Sequence, residues 1–298
     1  MTELKNKVVV ITGAGSGIGR ALAQDFARSG AKLALSDVDA TGLAQTVKQV
    51  RLIGAPVHHT SLDVTDRAAV LAYADEVVAE YGVVNVIVNN AGIAFTGDIE
   101  KMSFDQIERV MAVDFWGVVH GTKAFLPHLI ASGDGHVVNI SSLFGLLSMP
   151  SQSAYNAAKF AVRGFTESLR EEMLIAGHPV QVTCVHPGGI KTAIARNAGV
   201  VDGEDQKSLA EFFDAKLAKM TPEDAAKVIR RAVIRNRPRV LVGWDAKALH
   251  LLVRVTGAGY ERLVALAAGR MVPKTVPAAA AHAEADTGQT TAASRASA

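Results

Sequence analysis

Three side chains near the middle of the chain have the right chemistry to work on a carbonyl. Tyr155 and Lys159 stand four residues apart, so on a helix both point to one face. Ser142 lies thirteen residues upstream, at the end of the apolar, strand-like run from His136 to Ser141. A hydroxyl donor, a titratable phenol and a fixed cation could converge on one oxygen, hold it and protonate it. The Tyr–Lys spacing is also that of an ordinary surface pair. Its meaning therefore rests on the elements around it.

Those elements alternate. Strand-like runs occur at Lys7–Thr12, Lys32–Asp37, Pro56–Ser61, Val84–Asn89, His136–Ser141, Val180–Val185 and Val240–Val242. Amphipathic segments lie between them, near Ile18–Ser29, Thr41–Leu52, Arg67–Tyr81, Ser103–Ala131, Ser151–Ala176 and Pro222–Arg235. Strands without period-two alternation, separated by helices, predict an α/β fold with a parallel sheet covered on both faces. With no internal repeat, one domain over residues 1–245 is the economical reading.

The first strand runs into Thr12-Gly-Ala-Gly-Ser-Gly-Ile-Gly19. Glycines there let the backbone turn sharply and approach a phosphate, while the following helix directs its free amides at the anion. The turn follows a strand and opens a helix, the context such a site needs. Asp37 ends the second strand and could accept hydrogen bonds from an adenosine ribose, or simply form a turn. Its charge opposes a 2′-phosphate, and Ser16 and Val38 offer no cation, which favours NAD over NADP. Asp63 could meet an adenine amino group or cap the helix near Asp66. Asn89-Asn90-Ala91-Gly92 closes the fourth strand with small residues that could border a cofactor or tie loops together.

Composition narrows the class. Hydrophobic residues make up 49% and charged residues 20% of the 298, as in a soluble globular protein. The net charge of +2, with both signs interspersed, gives no footprint for nucleic acid. The single Cys184 excludes an internal disulfide, fits a reducing compartment and sits in an apolar run as core filler. The first residues carry no secretory stretch and no spanning helix is evident, so a cytoplasmic location is expected.

Together, Thr12-Gly13-x-x-x-Gly17-x-Gly19, Asp63, Asn89-Asn90-Ala91-Gly92, Ser142, Tyr155-x-x-x-Lys159 and Pro187-Gly188 resemble the short-chain dehydrogenase/reductase family in its soluble single-domain branch, over about residues 5–245. The resemblance implies a Rossmann-type, doubly wound, seven-stranded sheet, NAD(P) binding and interconversion of an alcohol and its carbonyl, with no metal. It makes Tyr155 the general acid/base and Ser142 the group that orients the substrate oxygen. Lys159 would bond the nicotinamide ribose and lower the phenol pKa from its free value of about 10. Ser141 matches a less critical serine. Gly13, Ser16, Gly17, Ile18, Gly19, Asp37, Asp63, Val64, Asn90, Ala91 and Gly92 would line the dinucleotide. Pro187, Gly188, Ile190 and Thr192 would hold its nicotinamide end. His186 is expected to be structural. A homodimer or homotetramer formed through the two long helices is implied as well.

One position departs from the pattern. Asp114 stands where the family usually has an asparagine that supports a water beside the lysine. An ionised Asp114 near Lys159 would stabilise the ammonium, keep a proton relay working and alter the pH profile. Leu143, Phe144, Leu146, Leu147 and Met149 could line an apolar substrate pocket or be core, and a mixture is expected. Leu209, Phe213 and Leu217, with Phe212 beside them, have the spacing of a helical lid or of a helix packed for stability. Residues 246–272 read as a helical extension. Packing on the body or on another subunit is favoured there over an interfacial membrane helix. Residues 273–298 read as a disordered tail.

The reading is thus an oxidoreductase for an apolar alcohol or ketone. A non-catalytic nucleotide sensor on the same fold is the alternative, favoured only by Asp114. A dehalogenase-like lyase would lack the intact glycine turn, and the Tyr–Lys spacing argues against an enoyl reductase.

Overall fold

The β-branched runs become seven parallel strands, and those at Val8–Thr12, Val86–Asn89 and Gly135–Ile140 are buried along their whole length, so both of their faces must be covered. A computed structural model describes residues 3–271, apart from positions 193, 195, 196, 213, 214, 216 and 217. The main sheet contains β1 (Val8–Thr12), β2 (Lys32–Asp37), β3 (Val57–Ser61), β4 (Val86–Asn89), β6 (Gly135–Ile140), β7 (Val180–Pro187) and β9 (Arg239–Val242). A pair of two-residue strands, β5 (Phe95–Thr96) and β8 (Gly199–Val200), forms a separate ribbon. The sheet order is β3-β2-β1-β4-β6-β7-β9. The order in which strands are added therefore reverses between β1 and β4, and a crevice opens there at the strands' carboxyl ends.

Helices α1 (Gly17–Arg28), α2 (Ala40–Ile53), α3 (Arg67–Tyr81), α4 (Phe104–Met111), α5 (Gly117–Ala131) and α6 (Ser153–Ile175) alternate with the strands. Later come α7 (Gln206–Phe212), α8 (Pro222–Ile234), α9 (Trp244–Thr256) and α10 (Tyr260–Met271). Local chemistry sets their ends. Asp39 caps α2 through Thr41 and Gly42, and Asp66 caps α3 by accepting from Ala69 at 3.0 Å. Gly54 and Gly82, at φ +88° and +71°, close the same two helices.

The segment expected as one helix from Ser103 to Ala131 is interrupted. Residues Ala112–Trp116 form a π-helical turn between α4 and α5. Such a turn shifts the register of the following helix. Hydrophobic periodicity could not show it, because that pattern presumes a regular repeat.

Beneath the crevice lies a buried polar chain. Asn89 Nδ2 donates to Thr122 Oγ1 at 3.0 Å and to Asn139 Oδ1 at 2.8 Å. Asn139 Nδ2 donates to Thr166 Oγ1 at 3.0 Å. Because Thr166 is on α6, this chain fixes the helix bearing Tyr155 and Lys159 against β4 and β6.

The C-terminal helices pack on the body. Ala246 lies buried with Leu143 and Leu147, while Leu249, Val253 and Tyr260 press on the same cluster. The Tyr260 hydroxyl accepts from the Ser148 amide at 3.0 Å. The expected tail, 273–298, falls outside the described residues, as do Phe213 and Leu217 of the expected lid. Among the described helices, none is long and apolar enough to cross a membrane.

Replacing Asn139 by Ala removes two buried hydrogen bonds and leaves Asn89 and Thr166 short of partners. Unfolding free energy should fall by about 2–4 kcal/mol, read from urea denaturation with an unchanged slope.

Candidate active site

The glycine turn is built for close approach. Gly13 and Gly17 have φ of +64° and +50°, in the left-handed region that a side chain disfavours. A Cβ on Gly13 would lie 2.7 Å from the Ala91 Cα, and one on Gly19 would lie 2.1 Å from the Gly13 carbonyl oxygen. Gly19 therefore packs under the turn, behind the residues that border the cleft. Asn90 Nδ2 donates to the Thr12 and Gly13 carbonyls at 3.0 and 2.9 Å, locking β4 to the turn. Ser16 precedes α1 without a side-chain cap, and the first turn of that helix holds no acid. Its amides are thus open to an anion. These features fit a dinucleotide pyrophosphate.

Asp37 is held rigidly at the end of β2. Its Oδ2 accepts from the Gly15 amide at 2.7 Å and its Oδ1 from the Asp39 amide at 2.8 Å. Asp63 is exposed and accepts from the Thr65 amide and hydroxyl at 2.9 and 2.8 Å. The helix cap is Asp66, so the capping role considered for Asp63 belongs to its neighbour. Arg20 also reaches this end of the cleft, but it donates to Thr46, to the Gly15 and Gly42 carbonyls and to Gln45.

A cleft of about 1720 Å³ runs from this turn to a second end bordered by Ser142, Tyr155 and Lys159. Ser16, Gly17, Ile18, Asp37, Asp63, Val64, Asn90, Ala91, Gly92, Pro187, Gly188, Ile190 and Thr192 also border it. The expected residues therefore meet, with Gly19 and Asp114 set behind the wall.

Tyr155 and Lys159 share one face of α6, and the Lys159 Nζ sits 5.4 Å from the phenol ring centroid. Ser142 has extended backbone after β6, and its Oγ accepts from the Phe144 amide at 3.1 Å. A hydrogen bond from Ser142 also favours the Tyr155 phenolate. Ser141 donates to the Lys159 carbonyl at 2.8 Å. His186 Nδ1 meets the Ser142 carbonyl at 2.9 Å, so the expected structural histidine positions the serine. Phe144 meets the Tyr155 ring edge-on, with centroids 6.2 Å apart, and borders the cleft with Met149 and Leu249. Leu146 and Leu147 are buried. The run after Ser142 is therefore divided between pocket and core.

Asp114 lies on the π-helical turn and is 0% exposed. Its Oδ2 is 3.2 Å from Lys159 Nζ, a charge contact rather than an aligned hydrogen bond, and its Oδ1 accepts from the Ile93 amide at 2.7 Å. Burial raises the Asp114 carboxyl, and Lys159 and Ile93 only partly oppose it. Burial disfavours the Lys159 ammonium, but Asp114 and Tyr155 more than restore it, leaving Lys159 above its usual value. Asp114 does not touch the cleft and acts on it through Lys159.

The phenol departs from expectation. Tyr155 lies above its ordinary value: burial raises it, Lys159 and Ser142 lower it, and Asp114 raises it again. Lysine does favour the phenolate, as the resemblance implied, but its carboxylate partner cancels part of that effect.

Two contributors lay beyond sequence reasoning. Asp245 Oδ2 accepts from the Gly189 amide at 2.8 Å, bracing the loop that follows β7. Its one signal was an acid in the first turn of a helix following Gly243. Tyr260 steadies the loop at Ser148 from far along the chain and left no local signal.

A family model described as short chain dehydrogenase matches residues 7–200. The protein SadH of Mycobacterium tuberculosis is 62% identical over 273 residues, 92% of this chain and 99% of that one. Among solved structures, a short-chain dehydrogenase/reductase from Burkholderia phymatum in complex with NAD is 34% identical, with a TM-score of 0.80 over 86% of this chain and 95% of that one. An alcohol dehydrogenase from Thermococcus sibiricus, complexed with 5-hydroxy-NADP, is 26% identical, with a TM-score of 0.67 over 80% of this chain and 95% of that one.

Burial lowers the His186 imidazole to about 4. The unfolded chain then binds more protons than the native state between pH 4 and 6.5, so this contribution is complete above 6.5 and is lost as pH falls towards 4. Chemical denaturation across that window should show wild-type stability declining faster on acidification than that of His186→Gln, by up to about 1.4 kcal/mol per pH unit.

Proposed function

The chain belongs to the short-chain dehydrogenase/reductase family of oxidoreductases, and we propose that it interconverts an apolar secondary or primary alcohol and its carbonyl with a nicotinamide dinucleotide. What supports this is the meeting of Ser142, Tyr155 and Lys159 on the wall of a cleft whose far end is an uncapped helix behind a glycine turn. When bound, the dinucleotide supplies the hydride donor or acceptor and, in its oxidised form, a further positive charge favouring the phenolate.

The chain's own residues do the rest. The first amides of α1 hold the pyrophosphate, and Asp37 binds the adenosine ribose. That carboxylate disfavours a 2′-phosphate, while Arg20, a cation at this end of the cleft, is engaged with carbonyl oxygens, so NAD is preferred. Asp63 and Val64 border the adenine, and Pro187, Gly188, Ile190 and Thr192 hold the nicotinamide end. Ser142 donates its O–H to the substrate oxygen. Tyr155 gives that oxygen a proton in reduction and takes it back in oxidation. Lys159 binds the nicotinamide ribose and stabilises the phenolate, and Asp114 positions Lys159. Phe144, Met149 and Leu249 offer the substrate an apolar wall.

Burial and Asp114 keep the phenol protonated, which suits a proton donor to a carbonyl. Assembly as a dimer or tetramer through α4–α6 is supported by exposed Phe104, Trp116 and Phe160. A cytoplasmic location is in keeping with the free, buried Cys184.

A panel of apolar alcohols and ketones, assayed with NAD and NADP cofactors, tests the reading. Tyr155→Phe should bind cofactor as wild type does and lose at least about 100-fold in turnover; wild-type rates in that variant would overturn the proton-transfer role. Asp114→Asn removes a charge that raises Tyr155, so the acidic limb of alcohol oxidation should move to lower pH. An unmoved limb would remove Asp114 from the mechanism.

A further inference from the structure

Helix α9 is apolar on two opposite sides, and among the described residues only one of them is covered. Ala246, Leu249 and Val253 face the body. Trp244, Ala248, Leu251 and Val255 recur at i, i+4, i+7 and i+11 and share the outer face. Trp244 is 76% exposed, Leu251 62% and Val255 77%. Leu263 and Leu266 of α10 extend the apolar exposure. An exposed patch of such large side chains is an interaction surface rather than ordinary scatter.

The charges along it identify the partner. Lys247 and Arg254, seven residues apart, edge one flank of the outer face, and Arg262 lies beyond on α10. All three are exposed. The carboxylates of residues 244–271 are Asp245 and Glu261, and Asp245 is committed to the Gly189 amide. A second copy pairing through this face would bring three cations per chain against one free carboxylate. An anionic lipid surface answers both features, taking Trp, Leu and Val into the acyl boundary and the cations at the headgroups.

We propose that the outer face of α9 and α10 docks onto an anionic membrane surface. The helices would lie in the interface without crossing it. Trp244 and Ala248 border the cleft as well as the patch, so docking would set the cleft mouth beside the bilayer. The docking surface does not depend on the oxidoreductase reading.

The test is co-sedimentation of the full chain with vesicles of phosphatidylglycerol or of phosphatidylcholine, at low and high salt. Light scattering gives the mass and thermal melting reports the fold. Wild type should bind phosphatidylglycerol vesicles at low salt, release with added salt and bind phosphatidylcholine weakly. L251E/V255E and K247E/R254E should each lose about tenfold or more in vesicle affinity at unchanged melting temperature and mass. The second variant leaves every apolar contact in place, so it decides the matter if the first folds poorly. Wild type left in the supernatant with both vesicle types would overturn the proposal, as would variants that bind undiminished. A reduced particle mass in L251E/V255E would instead assign the face to a second copy. No turnover is measured, so failure here is separate from failure of the oxidoreductase reading.

Discussion

An ammonium group shut away from water must find a negative partner or lose its proton. Lys159 is 3% exposed, and its partner is Asp114 at 3.2 Å. Much of the site follows from accommodating that pair. The carboxylate comes from a π-helical turn, its second oxygen is satisfied by the Ile93 amide, and Gly92 leaves both groups room. A Cβ at Gly92 would lie 3.3 Å from the carboxylate and 3.4 Å from the ammonium. Removing one member would strand the other as an unpaired buried charge, a worse state than the pair or neither.

The pair also tempers the phenol. A lone buried cation beside Tyr155 would draw the proton off; a cation already partnered does so less. The pair therefore leaves the Tyr155 phenol above its ordinary value, held there first by burial. This is electrostatics at short range, in which a single carboxylate offsets a single ammonium.

Position is enforced from two directions. From below, Asn89, Asn139 and Thr166 hold α6 to the sheet, so Tyr155 and Lys159 inherit the rigidity of the core. From the chain's far end, Asp245 and Tyr260 brace the loops after β7 and after Ser142. The C-terminal helices thus support the site and also present an apolar face to the outside. Their inner surface is held by core packing, whereas the outer one carries exposed Trp244, Leu251 and Val255.

Much was legible in the residues alone. Apolar runs of strand length alternating with amphipathic segments specify a parallel sheet, because only buried strands dispense with a polar face. The glycine turn, Ser142, Tyr155 and Lys159 could be singled out because several motifs occur together in one order, and the fold brings them to one cleft. The π-helical turn was hidden, since periodicity cannot register one inserted residue. So were Asp245 and Tyr260, whose partners lie 56 and 112 residues away. The net upward shift of Tyr155 was hidden too, because it depends on burial and on a carboxylate brought in from another helix. Sequence determines which groups and which local shapes are available. Folding alone decides which charges meet away from water, because desolvation and Coulomb attraction act through space and not along the chain.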